Sequence, residues 1–198
     1  MNRNTLSVAL GLFIVGYGTN VSTPFLVLYR DRLGLNTNAT QLIFVVYVVG
    51  ILSTLMVAGQ LSDRYRRKRL LVASLALSAV GSLLIVFGRD AFGLLIAGRI
   101  VLGIVSGLGL GVGAAWLQDL LGPGQQAKAA LIATLVTYGG FGAAPPLSVL
   151  YEWLGPSPLV VPFLFHIAIT LAVIPAVLKI GETVDVAAAA QNGHWRPA

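Results

Sequence analysis

The sequence predicts an all-α, polytopic membrane protein with six transmembrane helices. Of its 198 residues, 57% are hydrophobic and only 10% are charged, and the mean hydropathy is +0.86. A soluble domain with so few charged side chains would expose large apolar patches, whereas a protein surrounded by lipid needs no polar surface. The apolar residues are also gathered into six long runs that short polar loops separate.

Each run has the length that a bilayer requires, since a hydrocarbon core of roughly 30 Å takes about 20 helical residues. Arg3 precedes the first run, but 24 uncharged residues exceed the apolar core of a signal peptide, so we expect a first span that is retained. The predicted spans are Leu6–Tyr29, Leu42–Leu61, Leu70–Phe87, Phe92–Leu117, Ala129–Tyr151 and Leu159–Leu178.

Basic residues predict the orientation of these spans. If the amino terminus is cytoplasmic, nine basic residues lie inside and three lie outside, which agrees with the positive-inside rule and predicts that both termini are cytoplasmic. The inside set is Arg3, Arg64, Arg66, Arg67, Lys68, Arg69, Lys128, Lys179 and Arg196, and the outside set is Arg30, Arg32 and Arg89. We therefore expect a multi-pass protein of the plasma (inner) membrane.

The expected domain organisation is one bundle over residues 1–180 and a cytoplasmic polar tail over residues 181–198. The composition becomes polar after Lys179, with Glu182 and Asp185 in the first part of the tail. A free carboxy terminus and a linker to a further domain both fit this composition.

The net charge of +6 does not indicate a nucleic-acid partner, because five of the 13 basic residues lie in the single loop after the second span. The expected partner is the lipid bilayer. The sequence has no cysteine, which excludes disulfides and thiolate metal sites. We expect no metal and no cofactor.

The loop after the second span resembles the signature of major facilitator transporters, a glycine followed by Leu-x-Asp-Arg and further basic residues. It also lies in the family's position, after the second helix and on the inside. One departure is Arg66, where the family usually has glycine. The resemblance implies a gating role for this loop, and its matching residues are Gly59, Asp63, Arg64, Arg67 and Lys68.

The fourth span carries a second motif in register with the first. Gly98-Arg99 followed by Gly103 and Gly107 resembles the family's fourth-helix motif, in which the arginine is linked to proton coupling. Independently of the resemblance, the four-residue spacing places Gly103, Gly107 and Gly111 on one helix face, where a second helix can pack closely.

Arg99 lies about 10 Å inside the span at 1.5 Å per residue. A charge in mid-helix costs about 3 kcal/mol on insertion scales, so such a residue usually faces the bundle interior or a water-filled cavity. The alternative is that its side chain extends outward to the interface. Its expected partners are Glu152, Asp31, a backbone carbonyl, a substrate or a group in another half of the protein.

The first span has an uncharged polar set ahead of Pro24, and Tyr17 and Asn20 share a face with that proline by helical spacing. By resemblance, the first and fourth helices line a central cavity, which makes this face a candidate for substrate contact. Hydrogen bonding between helices explains the same residues. The candidate cavity residues are Tyr17, Asn20, Thr23 and, from the fifth span, Tyr138.

The fifth span also contains Pro145 and Pro146, which predict a bend because proline frees backbone carbonyls. The segment around them partly resembles the glycine–proline motif of antiporter subfamilies. Ala144-Pro145 stands where the motif has Gly-Pro, which weakens an assignment to drug–proton antiport.

The resemblance implies one six-helix half, the amino-terminal one, of a secondary transporter built from inverted three-helix repeats. Such a transporter moves a small solute by alternating access, with protons as the coupling ion and efflux as one direction. The chain would act with a carboxy-terminal six-helix half or with a second copy.

Two other function classes compete with transport. A rhomboid-like intramembrane serine protease would use Ser106 and His166, but Ile104 stands where such enzymes carry the glycine of Gly-x-Ser-Gly. A non-transporting membrane scaffold would need neither a polar central face nor an arginine inside a span. We therefore expect a transporter and not an enzyme.

Overall fold

The computed structural model describes residues 2–155, 157–181 and 183, without the side chains of residues 59, 60 and 62–64. The all-helical prediction is confirmed for this part of the chain. Its helices are α1 (Arg3–Asn20), α2 (Leu26–Leu33), α3 (Thr37–Arg64), α4 (Arg67–Gly88), α5 (Phe92–Leu121), α6 (Gln126–Leu154) and α7 (Val161–Leu178).

Five helices in the described part of the chain are long and apolar enough to cross a membrane. They correspond to the predicted second to sixth spans, and the crossing segment of α3 is Thr37–Ala58. The predicted first span is occupied by α1 and α2 together. Asn2 begins α1 as its N-cap, and its side chain accepts a hydrogen bond from the Thr5 backbone N–H at 2.8 Å.

The predicted first span contains two helices and not one, because the helix breaks at residues 21–25. Pro24 has no N–H to continue the helical ladder. The chain instead turns through bonds from the Thr23 N–H to the Asn20 carbonyl and from the Phe25 N–H to the Ser22 carbonyl, both 3.2 Å. The Val21 carbonyl accepts a bond from Ser148 Oγ of α6 at 3.1 Å. A neighbouring helix thus satisfies a backbone group that the break leaves free.

The helices form two layers. In the front layer, α3 packs on α5, α5 packs on α1, and α1 packs on α6. The back layer consists of α4 and α7, which pack on each other. Against the front layer, α4 packs mainly on α5, and α7 packs mainly on α1. The first repeat is α1–α4, in which α1 and α2 together form one span, and the second repeat is α5–α7. In this division α1 corresponds to α5 and α3 corresponds to α6, so the contact of α1 with α6 corresponds to the contact of α5 with α3. This matches the packing that an inverted repeat of two three-helix units requires.

Glycines allow both corresponding helix pairs to approach closely. At Gly50 of α3, an added Cβ would lie 3.1 Å from the Gly103 Cα of α5. At Gly16 of α1, an added Cβ would lie 2.7 Å from the Thr137 carbonyl of α6, and at Gly140 it would clash with the Phe13 carbonyl. Small residues at both crossings allow backbone contact, as is usual between membrane helices.

The predicted packing glycines of the fourth span lie along α3. A Cβ at Gly103 would clash with the Tyr47 carbonyl, and one at Gly107 would lie 2.6 Å from the Ile51 carbonyl. A Cβ at Gly111 would lie 3.0 Å from the Ala58 Cβ, so the helices are slightly further apart there. The three glycines, spaced four residues apart on α5, thus lie on one helix face that contacts α3 along its length.

Two further predictions concern α6 and the tail. Pro145 and Pro146 lie inside α6, which continues as one helix to Leu154, and the bend that they favour stays a prediction. The predicted polar tail, residues 181–198, lies outside the described residues except for Gly181 and Thr183.

Candidate functional site

Arg99 belongs to α5. Its side chain contacts α3 and the break that follows α1. Its side chain has an exposed fraction of 0%. Nη1 donates to Ser22 Oγ at 2.7 Å, and Nε donates to the Ile43 carbonyl at 3.2 Å. The guanidinium carbon lies 4.6 Å from the centre of the Tyr47 ring, which is a cation–π contact. The side chain therefore faces the bundle interior.

Arg99 has no carboxylate among these partners. Of the partners considered from the sequence, the structure gives a backbone carbonyl, and neither Asp31 nor Glu152 bonds to Arg99. Nη2 is buried and has no hydrogen-bond partner among the residues that the structure describes. Because Nη2 has almost no accessible surface, a carboxylate, a water molecule or a solute can bind this donor only if the surrounding helices move.

The break in the first span positions this arginine's neighbours. Ser22 lies in the turn of residues 21–25, where it is fully buried and meets Arg99. One helical turn before it, Thr19 hydrogen-bonds Ser106 of α5, and Ser106 Oγ also donates to the Leu102 carbonyl at 2.6 Å. Polar contacts therefore follow the α1–α5 crossing from Ser106 to Arg99.

Sequence reasoning did not single out Ser22 or Tyr47 as neighbours of Arg99. Ser22 was visible in the sequence as part of the polar set before Pro24, but the break decides which way it points. Tyr47 stands alone in an apolar span. The sequence pattern offered little reason to place Tyr47 beside Arg99, because tyrosine is common in membrane helices near the membrane–water interface.

The four candidate cavity residues lie in different surroundings. Asn20 Nδ2 donates to the Phe141 carbonyl of α6 at 3.1 Å, and Asn20 Oδ1 accepts from Thr23 Oγ1 at 2.7 Å. The Tyr138 side chain, also on α6, is 68% exposed. Asn20 and Thr23 are half-buried at the α1–α6 contact. These three residues belong to the front layer.

Tyr17 and Asn20 lie three residues apart on α1, and their side chains have different partners. Tyr17 is 1% exposed and points to the back layer, where its ring centre lies 6.3 Å from that of Phe165 and 6.0 Å from that of His166, both on α7. Helical spacing alone places the two residues on one side of an ideal helix. Because α1 contacts both α6 and α7, residues on one side of it can reach different helices, and the shared lining of a cavity by Tyr17 and Asn20 stays a prediction.

His166 and Ser106, the pair that a protease would require, belong to different clusters. His166 Nδ1 bonds Ser82 Oγ at 2.8 Å, and Nε2 lies 3.2 Å from Thr170 Oγ1 and 3.5 Å from Ser78 Oγ. Ser106 bonds Thr19 instead. The histidine therefore joins α4 to α7 and does not activate the serine. The protease alternative is rejected.

The signature loop is described in part. Arg67 Nη1 lies 2.9 Å from Asp119 Oδ2 at the end of α5, and Lys68 Nζ donates to the Ile180 carbonyl at 2.9 Å. The backbone of Gly59, Asp63 and Arg64 lies in the last turns of α3, but their side chains lie outside the described part of the chain. The basic residues that are described thus tie the start of α4 to the ends of α5 and α7.

Comparisons with known proteins agree with this geometry. The sequence profile described as Major Facilitator Superfamily matches residues 8–197. The chain is 26% identical to the bacillibactin exporter of Bacillus subtilis over 108 residues, which are 52% of this chain and 27% of that protein. It is 25% identical to the arabinose-proton symporter of the same organism over 153 residues, 74% of this chain and 33% of that one.

A solved structure has the same fold. The D-xylose-proton symporter superposes with a TM-score of 0.76 at 15% sequence identity, covering 96% of this chain and 51% of that one. The chain therefore spans about half of that structure and a smaller share of the curated relatives. Together with the profile match over nearly all of the chain, its apolar helices and its buried arginine, this establishes the family: the chain belongs to the Major Facilitator Superfamily of membrane transporters.

Proposed function

We propose that this chain is the amino-terminal half of a secondary transporter that moves a small solute by alternating access and couples the movement to protons. The observation that carries the proposal is Arg99. A guanidinium with no exposed surface, no carboxylate partner and one buried donor without a described partner is costly in a lipid environment. Such groups in membrane helices mark substrate, ion or proton pathways.

The proposed coupling follows from the chemistry of arginine. Its guanidinium stays charged at any physiological pH, so it acts as a fixed positive field and not as the proton carrier. A fixed cation favours the ionised form of a nearby acid, and movement between two states changes that influence. The carrier group would be a carboxyl of the second half or of the solute.

The candidate solute contacts are the front-layer residues Asn20, Thr23 and Tyr138. Thr23 donates to Asn20, and Asn20 in turn donates to the Phe141 carbonyl of α6. Tyr138 is exposed on α6, and its ring centre lies 6.1 Å from that of Phe141, the residue whose carbonyl accepts from Asn20. A shallow surface of this kind becomes a closed cavity only when a second bundle faces it. In such transporters the substrate lies between two bundles near the middle of the membrane.

A second bundle is therefore part of the proposal. Alternating access consists of one bundle rocking against another about a central site. The second bundle is either a separate carboxy-terminal half or a second copy in a twofold arrangement. The relatives named above include an exporter and a symporter, so the direction of transport is left open.

We further propose that both termini are cytoplasmic in the plasma (inner) membrane and that residues 181–198 form a cytoplasmic tail or linker. The excess of basic residues at the end of the bundle that carries Arg67 and Lys68 supports this orientation.

Reconstitution tests the need for two bundles. The 198-residue chain is placed in proteoliposomes at increasing protein-to-lipid ratios, a proton gradient is imposed, and uptake of a panel of labelled solutes is measured. We expect no uptake where the chains are single, and uptake per chain that rises with the cross-linked dimer fraction or on addition of a second six-helix half. Proton-driven uptake by single chains would contradict the proposal.

The gating role of the signature loop gives a separate prediction. Asp63→Asn in the assembled transporter should lower the transport rate about tenfold, equivalent to about 1.4 kcal/mol, through loss of a charged contact that stabilises one closed state. Asp31→Asn is the matched control, because Asp31 is an exposed carboxylate at the other end that pairs with Arg30. Equal rates for wild type and Asp63→Asn, at equal amounts of inserted protein, would remove the gating role.

A further inference from the structure

A cavity lies at the end of the bundle opposite the signature loop, and the transport proposal does not use it. Its volume is about 300 Å³, at the lower end of the size that small-molecule sites have. It lies between α2, the loop that joins α4 to α5, and the segment before α7. Its lining consists of Leu28, Arg32, Arg89, Ser157, Pro158, Leu159 and Val160.

The charge in this cavity is unbalanced. Arg32 Nη2 lies 2.6 Å from Asp90 Oδ1, and Arg89 Nε lies 2.9 Å from Asp90 Oδ2. Two guanidiniums therefore share one carboxylate. Asp90 is not itself part of the lining. Arg32, Arg89 and the carboxylate that both of them bond together carry a net charge of +1.

Asp90 bonds both arginines, whose side chains are 51% and 41% exposed. Arg32 Nε donates both to Asp90 and to the Arg89 carbonyl, at 2.9 and 3.1 Å, which fixes its position against the loop. Hydrogen bonds from Arg32 and Arg89 hold the pKa of the Asp90 carboxyl below its ordinary value. The carboxylate thus stays ionised and competes with any other anion for the same guanidiniums.

The rest of the wall is apolar. Leu28, Pro158, Leu159 and Val160 supply hydrocarbon surface next to the two cations, and Ser157 supplies a hydroxyl. Arginine pairs bind phosphate through parallel N–H donors. Basic pockets between membrane helices on the cytoplasmic side bind anionic lipid headgroups, and this cavity offers the same charge chemistry at the end opposite the signature loop.

We propose that this cavity binds a phosphate group through Arg32 and Arg89. The shared chemistry is a phosphate oxygen set held by two guanidiniums, and its source is either an anionic phospholipid headgroup or a free phosphate. The apolar wall favours the lipid, since it can cover the glycerol and the first part of an acyl chain. The end of a membrane helix bundle is also the depth at which headgroups lie.

Thermal unfolding of the purified full chain in a neutral detergent tests the site. The probes, at equal concentrations, are dihexanoyl phosphatidylglycerol, dihexanoyl phosphatidylcholine and inorganic phosphate, and the readout is the Tm from tryptophan fluorescence. We expect phosphatidylglycerol to raise the Tm of the wild type and of Arg30→Gln. Arg30 is the matched control because it is an exposed arginine at the same end that does not line the cavity.

Two variants move the result in opposite directions. The double variant Arg32→Gln with Arg89→Gln should weaken phosphatidylglycerol binding about tenfold, because it removes both charged donors. Asp90→Asn should tighten binding several-fold, because it removes the competing carboxylate and leaves both arginines.

The outcomes separate the sources of phosphate. Protection by phosphatidylglycerol but not by inorganic phosphate assigns the site to a lipid headgroup. Equal, arginine-dependent protection by inorganic phosphate assigns it to a soluble anion. Three results overturn the proposal, namely equal protection of the double variant and the wild type, equal protection by the net-neutral phosphatidylcholine, and weaker binding by Asp90→Asn.

Discussion

Gly140→Ala is expected to lower the free energy of unfolding by about 1–3 kcal/mol, the usual range for an overpacked interior. The added Cβ would clash with the Phe13 carbonyl and lie 2.9 Å from the Tyr17 backbone nitrogen. Both atoms belong to the α1 backbone, so no side chain can rotate away. Relief requires α1 and α6 to separate, which weakens the packing that orders the front layer.

Gly142→Ala is the matched control, two residues further along the same helix. An added Cβ there meets no heavy atom within 4 Å among the described residues. Alanine favours a helix over glycine by a similar amount at both positions, so the difference between the variants isolates the clash. In thermal unfolding in detergent, Gly140→Ala should melt several degrees below Gly142→Ala. Equal Tm values would show that the α1–α6 contact is looser than the structure indicates.

Arg99→Met is expected to abolish proton-coupled transport without lowering stability. A transport rate at least about tenfold lower, equivalent to about 1.4 kcal/mol, follows if the fixed charge supports coupling. Removing the buried charge relieves its desolvation cost, and this gain offsets the loss of the hydrogen bonds to Ser22 and the Ile43 carbonyl, so we expect little change in stability. The measurements are proton-driven uptake by the assembled transporter and the Tm of the same preparation.

Arg99→Lys and Arg30→Met complete this experiment. Lysine keeps the charge but has a single nitrogen, so it cannot reach both Ser22 and the Ile43 carbonyl in the geometry of the arginine. We expect partial transport from Arg99→Lys and normal transport from Arg30→Met. A large fall in Tm for Arg99→Met, with transport reduced only in proportion to the loss of folded protein, would assign Arg99 a purely structural role.

Local composition was sufficient to predict most of the helices. The second to sixth spans correspond to α3–α7, because transfer into lipid is decided by the summed hydropathy of a short window. The glycine spacing in the fourth span predicted the face that contacts α3, because a four-residue repeat stays on one side of a helix. The helix break in the first span, where Pro24 and the polar residues before it interrupt an otherwise apolar run, was not predicted.

The candidate site was harder to predict. Arg99 was predicted to face the bundle interior, because a charged side chain in the middle of a membrane helix is costly in contact with lipid. Its neighbours Ser22 and Tyr47 were not singled out. The different partners of Asn20 on α6 and of Tyr17 on α7 were not predicted either, because helical spacing places residues on a face without saying which helix covers it.

The sequence by itself determined that the second to sixth predicted spans are helices, with ends correct to within five residues, and that an arginine lies inside the fourth span. Only the tertiary structure decided which helices are neighbours and how each is rotated about its axis. The physical reason is that helices in lipid are apolar on nearly every side, so hydropathy carries little information about which side faces another helix. That choice is made by backbone contact at glycines such as Gly50 and Gly140, and by hydrogen bonds such as that from Arg99 to Ser22.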